Sequence, residues 1–262
     1  MSRVASPAPI AAGIAARASF STLSWLLMLV LAAALSAGCD SMPGKPSKDD
    51  IPVRPSEIKD FASLYGTNCS GCHGDDGRLG PARSLNDAVY LALVSDDVLV
   101  NVIRDGVEGT AMPGFGDRTS GILTDDQIAI LVSEMRKSWA RPAETAGHEM
   151  PAYRAAPGDA GRGERAYARY CAACHGDDGT GGAKGGSVVD DSYLALVSDQ
   201  GLRTTLIAGR TDLGMPDWRG DVGAGAASEM SARDVADITA WLIGKRVRFP
   251  GRPYAPEAAP AG

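Results

Sequence analysis

Two short stretches carry residues that can do chemistry together: Cys69-Ser-Gly-Cys72-His73 and Cys171-Ala-Ala-Cys174-His175. Two thiols three residues apart can reach the two vinyl groups on one edge of a porphyrin. The imidazole that follows is then held beneath the iron as proximal ligand. Each motif therefore reads as the attachment point of one covalent haem c, two per chain. Other chemistries share some of these residues. A redox Cys-x-x-Cys expects a βαβ context, which the pattern lacks. A Cys₄ zinc site would have to pair the two motifs, and like two simple disulfides it would leave both histidines idle.

The sixth ligand follows from counting. Of three histidines, His73 and His175 are proximal, and His148 falls between the repeats as a solvated residue. Met112 lies 39 residues after His73 and Met215 lies 40 after His175, each in a Gly/Pro-bounded loop. A thioether there can point at iron, whereas a methionine elsewhere is more simply core filling. Met135 reads as part of a helix stripe and Met230 as a staple at a helix start. Imidazole below and thioether above raise the reduction potential and close both axial positions.

These ligands are positioned by a unit written twice. CSGCHGDDG at 69–77 recurs as CAACHGDDG at 171–179, and YLALVSD at 90–96 recurs at 193–199. Met112-Pro-Gly-Phe115 is matched by Met215-Pro-Asp-Trp218. Ordered self-similarity of this kind means two copies of one domain. They run over 55–141 and 158–248, with 142–157 as a Pro/Ala-rich linker and 249–262 as a Pro-rich tail. A four-residue insertion falls in 220–228, as a surface loop. Each copy reads as three helices. The first leads straight into the cysteine motif. The second follows YLALVSD and stops at Gly106 or Gly209. The third starts at Thr124 or Ser231, with a full capping box at Gln127 and a partial one at Asp234. No segment alternates as a strand does, so the class is all-α.

Residues 1–38 hold Arg3, Arg17 and no acid, then an apolar run, and close on Ser36-Ala37-Gly38-Cys39. These are the parts of a secretory signal, and its end resembles the bacterial lipobox. That resemblance implies a diacylated Cys39 as mature N-terminus, a tether over 39–54 and an exported, lipid-anchored protein on the periplasmic side. Asp40 resembles an inner-membrane retention signal. A plain signal peptide and an uncleaved anchor remain alternatives. Removing the signal lowers the 26 basic residues to 24 against 32 acidic ones, and the net charge from −6 to −8. An acidic chain lacks the basic footprint of a nucleic-acid binder. The charge suits either docking on a basic partner or a solvated surface, and the same two readings hold for Asp75-Asp76 and Asp177-Asp178.

Residues 55–248 resemble tandem class I cytochromes c. The resemblance implies a few helices around each haem, thioethers at Cys69, Cys72, Cys171 and Cys174, and axial pairs His73/Met112 and His175/Met215. The stretch from Gly209 to Trp218 is similar to a segment in dihaem subunits of bacterial terminal oxidases, which implies Arg210 and Trp218 near haem propionates. Repeat 1 departs there, with Arg104-Asp105-Gly106 set against Ala208-Gly209-Arg210, and Phe115 against Trp218. It departs again at Phe61, where repeat 2 has Gly163 for a close helix crossing. The expected function is single-electron transfer between respiratory partners, an oxidase or a quinol-oxidising complex among them. A dihaem enzyme of the peroxidase or thiosulfate-oxidising kind, or a haem-based sensor, stands as the alternative.

Overall fold

A computed structural model of the chain describes residues 25–31, 44, 47, 50–220 and 229–247. Most of the signal, Cys39, the loop at 221–228 and the tail lie outside the described residues. Residues 25–31 are helical with exposed side chains, within a unit that ends at Val53. Among the described residues no helix is long and apolar enough to cross a membrane.

From Arg54 onward the chain forms one unit that holds both repeats. Repeat 1 consists of α1 (Phe61–Asn68), α2 (Ser70–His73), α3 (Ala88–Leu93), α4 (Asp96–Asp105) and α5 (Asp125–Trp139). Repeat 2 answers with α6 (Ala160–Tyr170), α7 (Ala172–His175), α8 (Asp191–Leu196), α9 (Asp199–Ala208) and α10 (Ala232–Gly244). The described residues contain no strand. Their one isolated bridge joins Arg210 to Met215.

Eight of these ten helices, all but the short α2 and α7, begin where the sequence supplies a cap. Asp60, Asp87, Ser95 and Thr124 accept backbone N–H groups in repeat 1, and Asp159, Asp190, Ser198 and Ser231 do so in repeat 2. Such caps contribute about 1 kcal/mol each. Asp234 completes a capping box as Gln127 does, so the match expected to be partial is full. α4 and α9 stop at Gly106 and Gly209, whose φ values of 75° and 70° suit glycine. Both repeats close on the last helix, through Ile128, Leu131 and Val132 of α5 and Val235, Ile238 and Leu242 of α10.

YLALVSD proves to be a helix of its own with a guarded end. Its last carbonyls, at Leu91 and Val94, accept hydrogen bonds from Arg136, which also pairs with Asp96 at 2.6 Å. In repeat 2, Arg246 bonds Leu194 and Val197 and pairs with Asp199 at 2.6 Å. The linker over 142–157 is held by side chains of repeat 2. Arg203 and Gln200 of α9 donate to the carbonyls of Ala152 and Tyr153, and Arg219 donates to that of Glu144.

The helix crossings differ between repeats. A Cβ on Gly163 would lie 2.0 Å from the Asp237 carbonyl oxygen, so α6 and α10 touch backbone to backbone. In repeat 1, Phe61 packs edge-on against Trp139, with ring centroids 5.6 Å apart. The tryptophan that meets the repeat's tyrosine therefore comes from a different turn. Trp241 stacks on Tyr167 at 4.3 Å, while Trp139, from the end of α5, meets Tyr65 edge-on at 5.2 Å.

Candidate haem sites

The cysteine motif is held the same way in both repeats. The helix preceding it ends on a carbonyl that accepts the first cysteine's N–H, from Tyr65 to Cys69 and from Tyr167 to Cys171, both at 2.8 Å. One turn later His73 and His175 donate their backbone N–H to Cys69 and Cys171 at 3.0 Å. The same tyrosine then closes the turn from the far side. Tyr65 Oη donates to Gly74 O and Tyr167 Oη to Gly176 O, each at 2.8 Å. Burial pushes the Tyr167 hydroxyl up to about 12, so it remains a donor.

The imidazoles are oriented by backbone. His73 Nδ1 lies 2.7 Å from Arg83 O, and His175 Nδ1 lies 2.8 Å from Gly186 O. A carbonyl can only accept, so Nδ1 carries the proton and Nε2 keeps its lone pair for a metal. Burial, more than the nearby Arg83 and Arg210 charges, holds His73 below its ordinary value, in the neutral form that ligates.

The thiols decide between the readings left open by the sequence. Cys69, Cys72, Cys171 and Cys174 are free, not disulfide-bonded. Burial raises Cys69 to about 11 and Cys171 to about 12, with the neighbouring cysteine adding to it. A redox Cys-x-x-Cys needs the opposite shift, toward thiolate. Among the described residues no three His, Cys, Asp or Glu side chains gather to hold a metal ion, so the two motifs do not pair in a zinc site.

Met112 and Met215 stand apart from the other described methionines of the repeats. Met135 is 2% exposed and Met230 packs on the core, whereas Met112 and Met215 are half-buried and outside it. Their loops are cinched at the neck. Val107 N donates to Met112 O and Arg210 N to Met215 O, both at 3.0 Å. That pairing also corrects the alignment of the repeats. Gly106 corresponds to Gly209, and Val107, not Gly106, to Arg210.

Arg210 turns toward repeat 1. It pairs with Asp212 at 3.0 Å and donates from Nη2 to Gly80 O at 2.8 Å. Asp212 in turn accepts the Leu79 N–H at 2.9 Å. Trp218 is 1% exposed, and its indole N–H donates to Glu229 at 2.8 Å. His148 is exposed, its ring 6.4 Å from that of Trp218. Asp75, Asp76, Asp177 and Asp178 are all exposed.

Buried guanidinium nitrogens test whether this shell suits a haem. Arg83 Nη1, beside His73, is cut off from solvent and has no hydrogen-bond partner in the chain; Arg203 Nη1 is likewise unpartnered, though its other nitrogens bond the linker and not a motif. A buried, unpaired cationic N–H is costly, and the carboxylates of a bound porphyrin are acceptors of the right charge. With two thiols, one oriented imidazole and one loop thioether per repeat, the donor set fits haem c.

Comparison with known proteins agrees. The family described as cytochrome c oxidase, cbb3-type, subunit III matches residues 56–133 and again 158–242. The chain belongs to this family. The chain accordingly carries two covalently bound haem c groups. The cbb3-type cytochrome c oxidase subunit FixP of Bradyrhizobium diazoefficiens is 28% identical over 60% of this chain and 53% of its own length. Subunit FixPc of Rhizobium leguminosarum bv. viciae is 26% identical over 70% of this chain and 61% of its own. A thiosulfate dehydrogenase of Stutzerimonas stutzeri is 30% identical over 51% and 46%. The chain thus spans about half to three fifths of the length of these relatives.

Sequence reasoning missed Arg83, Asp212 and the arginines that guard α3 and α8. A signal for Arg83 was present, since Gly186 stands at its place in repeat 2.

Proposed function

We propose that this protein passes single electrons between respiratory partners through two haems, each ligated by histidine and methionine. Residues 55–141 and 158–248 are the two haem domains, with His73/Met112 and His175/Met215 as axial pairs. The observation that carries this reading is the contrast among methionines: in each repeat one thioether stays outside the packed core, at the neck of a cinched loop. With both axial positions filled from the chain, no open coordination site is left for substrate. Donor and acceptor are redox proteins of a respiratory complex, and the exposed acidic loops beside each motif suit docking on a basic surface. Cys39, acylated after export, tethers the chain to the periplasmic face of the inner membrane, where its partners reside.

The test is spectroscopic. The oxidised, haem-loaded protein should be fully low-spin and show the weak long-wavelength band of thioether-ligated ferric haem. Met112→Ala and Met215→Ala should each remove half of that band. High-spin iron in the unaltered protein, or an unchanged band in both variants, overturns the ligand assignment. Membrane fractionation of Cys39→Ser tests the tether, with release into the soluble periplasm expected.

The thiosulfate dehydrogenase relative gives one observation for an enzymatic reading. Such a reading needs an unusual axial ligand, and the spare candidate His148 is an exposed residue of the connecting segment. Turnover of thiosulfate or peroxide by the purified protein would favour the enzyme.

A further inference from the structure

Repeats 1 and 2 meet where the loop after the first haem motif touches α9 and the turn that follows it. Leu79, Gly80, Arg83 and Asp87 come from repeat 1, and Gly201, Thr205 and 210–212 from repeat 2. Arg83 is the charged group at this seam that its neighbours do not neutralise. Its Nη2 donates to Gly201 O at 3.0 Å and to Thr205 Oγ1 at 2.6 Å, both across the seam. Its guanidinium lies 5.3 Å from the centre of the Tyr90 ring. Its own carbonyl accepts from His73 Nδ1. Among the described residues Arg83 makes no ion pair. The nearest carboxylate that acts on it, Asp87, is engaged by Tyr90 N and by Thr211 Oγ1. Arg210, by contrast, is balanced by Asp212.

We propose that Arg83 is a positive charge held in place by repeat 2 and acting on the haem of repeat 1, so that docking of the repeats sets that haem's reduction potential. The physics is direct. A cation in a poorly screened site favours the iron state of lower positive charge, Fe(II), and so raises the potential. An Nη1 that donates to a carboxylate of the haem works in the same direction, because it offsets a negative charge that would favour Fe(III). Repeat 2 has Gly186 at the equivalent place, so only the first motif carries such a charge beside its histidine and the effect falls chiefly on that haem. Arg83 is a positioning and charge-bearing residue, not a ligand. The inference rests on each repeat holding a haem, which a count of two haems per purified chain checks separately.

The experiment is a potentiometric titration of the haem-loaded full chain, resolved into two one-electron waves. Arg83→Gln should lower one wave and leave the other in place. The expected shift is on the order of tenfold in that haem's redox equilibrium, about 59 mV. Arg83→Lys, which keeps the charge, should restore most of it. Thr205→Val removes an anchor on repeat 2 without touching repeat 1 or any ligand, and should move the same wave by less. Two unmoved waves, or two waves shifted equally, overturn the proposal. So does an Arg83→Lys protein that behaves like Arg83→Gln, since shape and not charge would then matter. If Arg83→Gln fails to take up haem, Thr205→Val decides the question alone, and an unmoved wave there refutes it.

Discussion

Gly163 and Gly161 lie two residues apart in α6, and the same substitution should act on them with opposite sign. A methyl group on Gly163 would sit 2.0 Å from the Asp237 oxygen, 2.6 Å from its carbonyl carbon and 2.8 Å from Trp241 Cβ. Two of those atoms are backbone, so no side-chain rotation relieves the clash and α6 must move off α10. Overpacking costs up to about 3 kcal/mol, and the better helix propensity of alanine returns at most ~1 kcal/mol. A net loss of about 2 kcal/mol corresponds to a melting temperature lower by roughly 8–16 °C for a domain of this size. Around Gly161 the nearest atom, Asp159 Oδ1, is 3.5 Å away, an ordinary contact. Gly161→Ala should therefore stabilise by about 0.4–1 kcal/mol. Thermal unfolding of the haem-loaded protein, followed by far-ultraviolet circular dichroism, gives both numbers. Equal effects at the two sites, or a Gly163→Ala protein as stable as the parent, would refute the claim that the crossing is a backbone contact.

Asp237 is nearly fully buried and held below the usual carboxylate range by Arg162, whose Nε and Nη2 donate at 2.7 and 2.9 Å, against the opposing effect of burial. A depressed carboxylate contributes stability that is present above its unfolded value and lost as pH falls through the folded one. Stability of repeat 2 should thus fall on acidification below about pH 4, and Asp237→Asn should flatten that limb while weakening the protein at pH 7. Melting curves across pH would show it. Arg136→Ala leaves the carbonyls of Leu91 and Val94 without their guard and should cost about 1–3 kcal/mol, measurable by chemical denaturation. Replacing Cys171 and Cys174 with alanine removes covalent haem from repeat 2, whose small core then lacks its largest apolar component; loss of helical signal and rapid proteolysis are expected, and native-like dichroism would contradict the idea.

Much of this fold is legible because its signals are local. A capping side chain sits beside the N–H it accepts, a helix-stopping glycine follows its helix directly, and the spacing of cysteines and histidine is itself the chemistry. The three helices expected per repeat are all present. What sequence reading lost depends on contacts between distant residues. The YLALVSD helix is six residues, too short to show a period, and the arginine that guards its end comes from more than 40 residues away. Arg83 reads as one loop cation among others until α9 is seen to bury its end. The connecting segment reads only as a Pro- and Ala-rich linker, and the side chains that hold its carbonyls, Gln200 and Arg203, stand 47 and 51 residues further on. The one-residue slip that sets Gly106 against Arg210 is avoidable, since the flanking matches share an offset of 103 that pairs Gly106 with Gly209, as the hydrogen bonds at the loop necks do.

These long-range contacts are also where the two repeats stop being copies. Gly163 lets α10 close on α6, so Trp241 lies flat on Tyr167; Phe61 bars that approach, and repeat 1 recruits Trp139 from the end of α5 to reach Tyr65. Tyr65 and Tyr167 nevertheless brace the turn of each Cys-x-x-Cys-His motif with the same 2.8 Å bond, so the difference in crossing lies around the turn and not in it. Arg83 and the Arg210–Asp212 pair then tie the loop after the first motif to repeat 2, which presents α9 and the turn after it to the seam and not its own motif. Two copies of one motif thereby receive different surroundings. An electron carrier with two equal potentials has no preferred direction between its centres, whereas unequal shells give one centre the lower energy for the electron. If Arg83 acts as proposed, the asymmetry at the seam would convert a duplicated domain into an ordered pair.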